Sequence, residues 1–583
     1  MAGYDLTLDD LQKFRQIDSK CPGHPEYGKT PGVDCTTGML GQGLSTAVGI
    51  ALSERYIEAV VASRVKKQKL INYYTYVLAG DGDLMEGVTN EAAAIAGNQG
   101  LGKLIVLYDS NDVTLDGDLK LSNTEDILKR YDALGWHIDY VKDGNDPKEI
   151  DRAIARAKKV TGKPSLIEIK TVIGRGSFNE GKSVVHGKPL TKDDIDNIRQ
   201  KMGITTGTLE IEEIALKNIR REIADRIKAN YNPWLEYFNS FKTSDNPDII
   251  KIVRFLEFGE IGCDFDSKNF QIQPSYNEEL RESNSKIMNV ISSKTKFFLG
   301  GSADLSSSCK TNLYKEAELT RQYQLGRNIY FGVREHAMGS ILNGMALNNL
   351  QVYGSTFLCL ADYLKPAIRM SAMMNLPVTY IFTHDTIGIG QDGATHQPIE
   401  QLTMLRTTPN LEVLRPADIN EVIGSWDYIL KKRKPTALII SKDMQHILAG
   451  TNAQLVEKGG YVVNKEKERL DAIIIATGTD LTTACLIKED FKNTLPYDIR
   501  IVSMPSIEVF RKETIEYQKE ILPDGVKTIV IEAGDKTPWL RFTKEEYIIG
   551  LEGYGHSGKP EDVLTKMNFS YDQIKERVEN ILK

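Results

Sequence analysis

The stretch that decides the fold is YTYVLAGDGDLMEG, residues 74–87. Its first seven residues, Tyr74 to Gly80, form a nearly continuous apolar run, which is typical of a strand buried on both faces of a parallel sheet. A second such run, KLIVLYDS from Lys103 to Ser110, follows after a helical segment. The pattern predicts a βαβ unit with one helix between two parallel strands, which end at the same edge of the sheet.

Polar residues follow both strands at that edge. Asp81 lies in the turn Gly80-Asp81-Gly82, and Asn111 directly follows the second strand. Carboxylate and amide oxygens suit Mg²⁺ or Ca²⁺, and the carbonyl of Val113 would add a third ligand while diphosphate oxygens and water complete the octahedron. Glycines at this turn would let the backbone approach phosphates. Because such tripeptides are also common in simple turns, it is the position of Asn111 that favours a metal site.

Similar apolar runs alternate with helical segments along most of the chain, which predicts an α/β fold with three doubly wound domains and mostly parallel sheets. The other predicted strands are Pro164 to Val172, Val378 to Asp385, Thr436 to Asp443, Asp471 to Gly478, Ile499 to Ser506 and Lys527 to Gly534. A polar, helix-rich connector interrupts the alternation from about residue 190. We therefore expect domains over residues 1–245, 246–458 and 459–583.

Composition narrows the classes of function. A chain of 583 residues suggests about three to five domains, at roughly 100–200 residues each. With 41% hydrophobic and 26% charged residues it is an ordinary globular chain, not a collagen-like or mainly disordered one. The formal net charge of −7 provides no basic excess for a phosphate backbone, so we do not expect nucleic acid as a partner.

Cellular location is predicted from what the sequence does not show. No apolar stretch approaches the ~20 residues that a membrane-spanning helix needs, and the first residues do not follow the pattern of a signal peptide. The six cysteines are scattered, without a CxxC pair or zinc-ligand spacing. We expect a cytoplasmic protein without a membrane partner.

Seven motifs, in this order, resemble those of the transketolase family of thiamine diphosphate enzymes. They are PGHPE (22–26), TTGMLGQG (36–43), GDGDLMEG (80–87), VVHGKPL (184–190), GGSADL (300–305), FGVREHAM (331–338) and THDTIGIGQDGATHQP (383–398). The resemblance runs nearly end to end. It implies the transketolase type of thiamine diphosphate-binding fold, with a diphosphate-binding domain first, a pyrimidine-binding domain second and a C-terminal α/β domain third.

The same resemblance implies an activity. A two-carbon ketol unit would pass from a ketose phosphate to an aldose phosphate through a thiamine diphosphate carbanion, as in the non-oxidative pentose phosphate pathway. It also implies thiamine diphosphate and Mg²⁺ (or Ca²⁺) as cofactors, phosphorylated sugars as substrates and a homodimer. In the family, the diphosphate half of the cofactor site on one subunit faces the pyrimidine half on the other.

Individual residues receive roles from this resemblance. Glu335 would hydrogen-bond the pyrimidine N1′ with a raised pKa and move the activating proton, while His24, His186 and His396 would bind substrate oxygens as catalytic histidines. The implied cofactor-binding residues are Gly38, Leu40, Gly82, Asn111, Glu335, Phe357, Leu360 and Tyr363, and the implied metal ligands are Asp81, Asn111 and Val113. The implied substrate-binding residues are Arg281, Ser308, His384, Asp392, His396 and Lys442.

Two positions depart from the family's pattern. Phe357, Leu360 and Tyr363 are spaced to share one side of a helix that would wall the pyrimidine, but the family usually has an aromatic residue at the position of Leu360. An apolar stripe at this spacing is also typical of plain core. Lys442 occupies a position where the family usually has arginine, so the charge is kept and the bidentate fork is lost.

The N-terminal motifs of the family are also incomplete. By this resemblance, we expect the chain to begin past the family's usual first helices, and its sequence has no GHGS-like string to reach the cofactor diphosphate. The alternative function is therefore a catalytically impaired or dead dimeric module of the same fold. Turnover would distinguish the two.

Overall fold

The computed structural model describes residues 3–65, 69–270, 272, 276–492 and 494–583. The chain divides into two compact units. Unit 1 consists of Met1–Glu260, Thr320–Leu325 and Asn343–Asn348, and unit 2 consists of Ile261–Leu319, Gly326–Leu342 and Asn349–Lys583.

Unit 1 is built on a four-stranded parallel sheet in the order β1-β2-β4-β3. The strands are β1 (Thr75–Gly80), β2 (Leu104–Ser110), β3 (His137–Val141) and β4 (Ser165–Lys170). The predicted parallel pairing of the first two strands is confirmed, although two helices rather than one connect them. The helices of unit 1 are α1 (Leu8–Gln12), α2 (Gln42–Ala62), α3 (Asp81–Met85), α4 (Gly87–Gln99), α5 (Ile127–Ala133), α6 (Pro147–Ala157), α7 (Lys192–Met202), α8 (Glu213–Arg226), α9 (Asn232–Asn239) and α10 (Pro247–Phe258).

Strand β1 corrects one expectation. It lies at the edge of its sheet and alternates in burial, with Tyr76 46% and Leu78 81% exposed, whereas the apolar run predicted burial on both faces. On one face of the sheet, apolar side chains of α6 pack against Ile105 of β2 and against Ile167 and Ile169 of β4. The core of that face is therefore centred on β2 and β4, not on β1. The predicted connector is confirmed as helical, since α7 to α10 follow one another without a strand between them.

Unit 2 contains two larger sheets. The first is entirely parallel, in the order β10-β11-β9-β8-β6-β7, and the second has the order β13-β15-β14-β16-β17 with only β13 antiparallel. The strands are β5 (Asn277–Glu279), β6 (Phe298–Ser302), β7 (Asn328–Tyr330), β8 (Gln351–Phe357), β9 (Val378–Thr383), β10 (Glu412–Leu414), β11 (Thr436–Ile440), β12 (Met444–His446), β13 (Tyr461–Asn464), β14 (Ala472–Ala476), β15 (Ile499–Ser503), β16 (Lys527–Ile531) and β17 (Ile548–Ile549). Strands β5 and β12 pair antiparallel. The predicted α/β class with mostly parallel sheets is confirmed.

The helices of unit 2 alternate with these strands or follow the last of them. They are α11 (Leu280–Lys294), α12 (Ser306–Cys309), α13 (Glu335–Ala346), α14 (Ala361–Met374), α15 (Gln401–Arg406), α16 (Ile419–Lys432), α17 (Asp480–Phe491), α18 (Ile507–Phe510), α19 (Ile515–Ile521), α20 (Pro560–Lys566) and α21 (Tyr571–Leu582). Within the described residues, no helix is both long enough and apolar enough to cross a membrane.

The core of the second sheet generates a stability prediction. Ile474 is fully buried in the central strand β14, so Ile474→Ala should lower the free energy of unfolding by about 2–5 kcal/mol, because it removes apolar contacts and leaves a cavity. Leu486→Ala, at an exposed position of α17, is the matched control and should cost about 0.5 kcal/mol or less. Urea denaturation followed by circular dichroism measures both, and equal midpoint shifts would contradict the assignment of Ile474 to the core.

Candidate active site

The predicted metal ligands of unit 1 lie at the carboxyl edge of its sheet. Gly80 pairs with Asp109 at the ends of β1 and β2, so Asp81 and Asn111 leave their strands side by side. Asp81 begins α3 and is 6% exposed. The side-chain Oδ1 of Asn111 accepts a hydrogen bond from the backbone N–H of Val113 over 3.1 Å. The strand register therefore brings all three predicted ligands into one short segment of the edge.

The carboxylate of Asp81 is only partly satisfied. Its Oδ1 accepts a hydrogen bond from the hydroxyl of Tyr108, but its buried Oδ2 has no hydrogen-bond partner within the part of the chain that the structure describes. Burial raises the pKa of Asp81, while Tyr108, Lys170 and the backbone of Asn111 oppose the rise. A buried, unpartnered carboxylate oxygen is costly in a folded protein, and a cation at this position would offset that cost.

Asp83 holds the neighbouring loop in place. Its Oδ1 accepts the backbone N–H of Gly41 over 3.1 Å, and its Oδ2 accepts that of Gly80 over 3.0 Å. Gly41 has a φ of +78° and is so close to Glu86 that an added Cβ would lie 2.6 Å from the Glu86 Cβ. One carboxylate therefore ties the segment preceding α2 to the Gly80 turn.

The predicted cofactor residues Gly38, Leu40 and Gly82 lie around this tie. A Cβ built on Gly82 would stand 3.0 Å from Cδ1 of Leu40, so only glycine leaves the present spacing undisturbed. Gly38 has a φ of +72°, and it and Leu40 are exposed to solvent. The structure thus brings Leu40 against Gly82 while leaving the surface of this loop open.

The side chains of the two predicted histidines of unit 1 are held by fewer contacts than the predicted metal ligands. His24 lies in an exposed loop before α2, and His186 is half-buried after a short 3₁₀ helix, Ser183–Val185. Counting only partners among the described residues, the buried Nδ1 of His186 makes no hydrogen bond. His186 therefore keeps one ring nitrogen available, and the roles of both histidines remain predictions.

The pyrimidine-side residues of unit 2 are arranged differently from the predicted helix face. Phe357 is the last residue of β8 with extended backbone, Leu360 ends a short 3₁₀ helix and Tyr363 lies in α14, so the prediction of a single helix face is wrong. The run QVYGSTF instead pairs on both sides with β6 and β9, because an interior strand uses its β-branched and aromatic residues better than a helix does.

Glu335 begins α13 and is buried, 8% exposed. Its charge contributes to raising the pKa of Cys359, which burial chiefly raises to about 11, so the carboxylate lies near the segment between Phe357 and Leu360. Leu360 is half-buried and Tyr363 is 66% exposed. Unit 2 therefore brings Glu335 and the Phe357 segment together, with Tyr363 at the surface.

Four predicted phosphate-binding residues cluster in unit 2. Arg281 donates through Nη1 to the carbonyl of Ser308 over 2.6 Å, and its backbone N–H donates to the carbonyl of Ser441, next to Lys442, over 3.1 Å. Glu279 fixes the guanidinium through Nε at 2.7 Å. These contacts place Arg281 next to Ser308 and next to the segment that carries Lys442.

His384 completes that cluster. It follows β9 with a φ of +60°, is 7% exposed, and its ring lies 4.0 Å from that of Phe357, centroid to centroid. Burial, helped by the positive charges of Lys442 and Arg281, lowers the pKa of His384 to about 4. The imidazole is therefore neutral near pH 7 and can hydrogen-bond a phosphate, while Arg281 and Lys442 supply the positive charge.

Asp392 and His396 lie in the next loop. Asp392 ends a 3₁₀ helix, Ile387–Asp392, and its charge acts on the pKa of His384, whereas His396 is exposed with its Nδ1 2.9 Å from the Thr395 hydroxyl. Both belong to the same unit as the phosphate cluster. Their predicted roles with substrate remain predictions.

Sequence reasoning missed three residues that position the others: Tyr108, Asp83 and Glu279. Asp83 carried a usable signal, because an acidic residue three positions into a helix can accept the backbone N–H groups at its start. Tyr108 points from β2 toward Asp81, and only the strand register shows that contact. Glu279 reaches Arg281 from the two-stranded β5–β12 ribbon, which the apolar runs did not predict.

Comparison with known proteins gives consistent matches. The transketolase thiamine diphosphate-binding domain matches residues 1–256, the transketolase pyrimidine-binding domain residues 279–445 and the transketolase-like C-terminal domain residues 459–570. A probable transketolase of Streptococcus pneumoniae is 42% identical over 590 residues, covering 100% of this chain and 89% of that protein. The Bacillus subtilis transketolase is 40% identical, covering 100% and 88%.

Comparison with solved structures points to the same family. The transketolase of Pichia stipitis in complex with sedoheptulose-7-phosphate superposes with a TM-score of 0.95 at 35% identity, covering 100% of this chain and 86% of that one. Transketolase from Leishmania mexicana gives 0.94 at 34% identity over the same shares. No finding among these favours the catalytically impaired alternative. The sequence, the fold and these matches establish that the chain belongs to the transketolase family of thiamine diphosphate-binding enzymes.

Proposed function

We propose that this protein transfers a two-carbon ketol unit from a ketose phosphate to an aldose phosphate, as a step of the non-oxidative pentose phosphate pathway. The observation that carries the proposal is the cluster of Arg281, Ser308, His384 and Lys442, which offers two cations and a neutral imidazole to one phosphate. The Pichia stipitis transketolase, described in complex with sedoheptulose-7-phosphate, supports this class of substrate.

The residues of unit 1 fit a divalent ion bound together with a diphosphate. The Oδ2 of Asp81, which has no hydrogen-bond partner among the described residues, is a hard oxygen donor, as are the side-chain oxygen of Asn111 and the carbonyl of Val113. Mg²⁺ and Ca²⁺ prefer such donors. Gly82 would let the backbone approach the phosphates, and Leu40 would cover them. We therefore assign Asp81, Asn111 and Val113 to the metal, and Gly38, Leu40 and Gly82 to the diphosphate.

In unit 2, Glu335 is the residue proposed to move protons. Thiamine diphosphate, when bound, supplies the nucleophilic carbon that carries the two-carbon unit. Glu335 would hold a proton at its carboxyl group against the pyrimidine ring nitrogen, while Phe357, Leu360 and Tyr363 would contact the ring. Phe357 also packs on His384, so the proposed cofactor wall and phosphate cluster share one contact.

The proposed histidines complete the substrate contacts. His24, His186 and His396 would donate hydrogen bonds to the oxygens of the transferred unit, and Asp392 would accept one from a sugar hydroxyl. The free Nδ1 of His186, judged within the described residues, supports a ligand-facing role for this ring.

Assembly and location follow from the same proposal. We propose a homodimer in which the Asp81 half of one subunit faces the Glu335 half of the other, and three domains over 1–245, 246–458 and 459–583. The six cysteines, all among the described residues, are free thiols, which supports a reducing compartment such as the cytoplasm.

The metal assignment generates the first prediction of this function. Asp81→Ala should abolish the dependence of thiamine diphosphate binding on Mg²⁺, because it removes the charged ligand. Tyr108→Phe, which removes only the hydroxyl that orients Asp81, should lower the affinity for Mg²⁺ by about 10–100-fold. Calorimetric titration of the cofactor at several Mg²⁺ concentrations measures both effects, with Asp151→Ala on the exposed face of α6 as the matched control. Mg²⁺-dependent binding by Asp81→Ala equal to wild type would rule out the assignment.

The second prediction of this function concerns the proton-transfer role of Glu335. Glu335→Gln should leave the fold intact and lower kcat by at least about 100-fold, because an amide cannot exchange the proton. Two measurements check this: a ketol-transfer assay with thiamine diphosphate and Mg²⁺, and hydrogen–deuterium exchange at C2 of the bound cofactor. Glu400→Gln, at an exposed position, should behave as wild type. Normal exchange in Glu335→Gln would remove Glu335 from the proposal, and absence of turnover by the wild-type chain would contradict the function itself.

The third prediction of this function concerns the contact between Lys442 and the substrate phosphate. Lys442→Arg should lower KM for phosphorylated sugars by up to about tenfold with little change in kcat, because the guanidinium offers two parallel hydrogen bonds to a phosphate. The same ketose without its phosphate serves as the substrate control, and Lys432→Arg, an exposed lysine on α16, serves as the variant control. An equal change with both sugars would show that Lys442 does not contact the phosphate.

A further inference from the structure

The backbone of His384 needs external support. A φ of +60° is uncommon for a residue with a side chain, because the Cβ crowds the backbone in the left-handed region. Such residues persist where the surrounding structure fixes them. Thr383 and Phe357 contact the ring of His384, and the residue that fixes the backbone after it is Asp385, which is 2% exposed and directly follows His384.

Asp385 is held by one buried arginine. Its Oδ2 accepts a hydrogen bond from Nε of Arg415 over 3.0 Å, and Nη2 of Arg415 lies 2.9 Å from the same oxygen. Its other oxygen, Oδ1, has no hydrogen-bond partner anywhere in the described chain. The position of Asp385 therefore depends on where Arg415 is held.

Arg415 is held in turn by the C-terminal part of unit 2. Its Nη1 donates to Oδ2 of Asp480 over 2.9 Å and to the carbonyl of Thr477 over 3.3 Å, and lies 3.6 Å from Oε1 of Glu532. Glu532 is itself bound by both terminal nitrogens of Arg406, over 2.7 and 2.8 Å. Asp480 is the first residue of α17 and Glu532 directly follows β16, so both anchors lie at the end of a regular element.

The backbone is shaped to admit the guanidinium. Gly478 has a φ of +58°, and a Cβ there would lie 2.7 Å from Nε of Arg415. A second contact from the same region supports the loop that carries Asp392 and His396, since Nε2 of Gln397 donates to the carbonyls of Gly390 and His556. The segment from residue 459 onward thus contacts both loops that bear the proposed substrate residues.

We infer that Asp480 and Glu532, through Arg415 and Asp385, are positioning residues that hold His384 in the conformation that receives the substrate phosphate. The inference rests on the proposed function, because it takes His384 as a phosphate contact. It gives the C-terminal domain a role in substrate recognition that acts through Arg415.

The test is Asp480→Asn, which keeps the shape of the side chain and removes its charge. We expect KM for a phosphorylated ketose to rise about tenfold, the scale of one lost hydrogen bond, with kcat nearly unchanged. Kinetics with the same ketose lacking its phosphate should stay within about twofold of wild type. The affinity for inorganic phosphate, measured by ³¹P NMR on the holoenzyme, should fall in parallel.

A matched control separates positioning from stability. Glu466→Gln breaks a half-buried pair of the same domain, in which Arg500 donates to Glu466 over 2.8 and 2.6 Å. It should lower the melting temperature without changing the ratio of KM values for the two ketoses. If Asp480→Asn does not fold, Arg415→Lys carries the test, because lysine keeps the charge and cannot bridge Asp385 and Asp480.

The outcomes are distinct. A wild-type enzyme that does not distinguish the phosphorylated from the unphosphorylated ketose would contradict the phosphate cluster, and with it the proposed function. A wild-type preference that survives in Asp480→Asn and Arg415→Lys would overturn only the positioning role. The same KM ratio in Glu466→Gln as in Asp480→Asn would also overturn it, since any weakening of the domain would then suffice.

Discussion

Parallel pairing of strands is the constraint on which the candidate site depends. In the sheet of unit 1 and in the first large sheet of unit 2 it brings the carboxyl ends of neighbouring strands to one edge, and several of the proposed functional residues follow those ends. In unit 1, Asp81 and Asn111 follow β1 and β2. In unit 2, Phe357 ends β8, His384 follows β9 and Lys442 lies two residues after β11. Strand pairing therefore brings residues that are far apart in sequence close together, and no direct attraction between their side chains is required.

The sequence predicted the parts of the structure that local patterns encode. Continuous apolar runs predicted the interior strands, and the Gly80-Asp81-Gly82 turn with Asn111 predicted which side chains would lie together. The placement of Phe357 on a helix face was predicted wrongly, because a spacing of three residues fits a helix face as well as it fits the end of a strand followed by a 3₁₀ turn. Tyr108 and Arg415 could not be predicted, since their partners depend on strand register and on contacts across tens of residues.

Two buried charged residues, Arg415 and Asp81, differ in the partners that surround them. Arg415 is surrounded by three carboxylates that outweigh the cost of burial and raise its pKa, so its charge is fully compensated inside the protein. Asp81 keeps an oxygen without a partner among the described residues, and burial raises its pKa. Asp385 also keeps one oxygen without a partner among the described residues, but its other oxygen is paired with the guanidinium of Arg415. The other oxygen of Asp81 accepts a hydrogen bond from the neutral hydroxyl of Tyr108 instead. A cationic partner inside the protein therefore distinguishes the positioning network from the proposed metal site.

The close approach at Gly478 has an evolutionary consequence. Its missing side chain is the space that Arg415 occupies, and a Cβ built on Gly393 would lie only 2.2 Å from Oγ of Ser557. A side chain at either glycine requires a compensating change at Arg415 or Ser557, although the partners lie more than sixty positions apart in the chain. The pyrimidine-binding and C-terminal regions therefore cannot diverge independently. Chimeras that join these regions from distant relatives would inherit mismatched halves of both contacts.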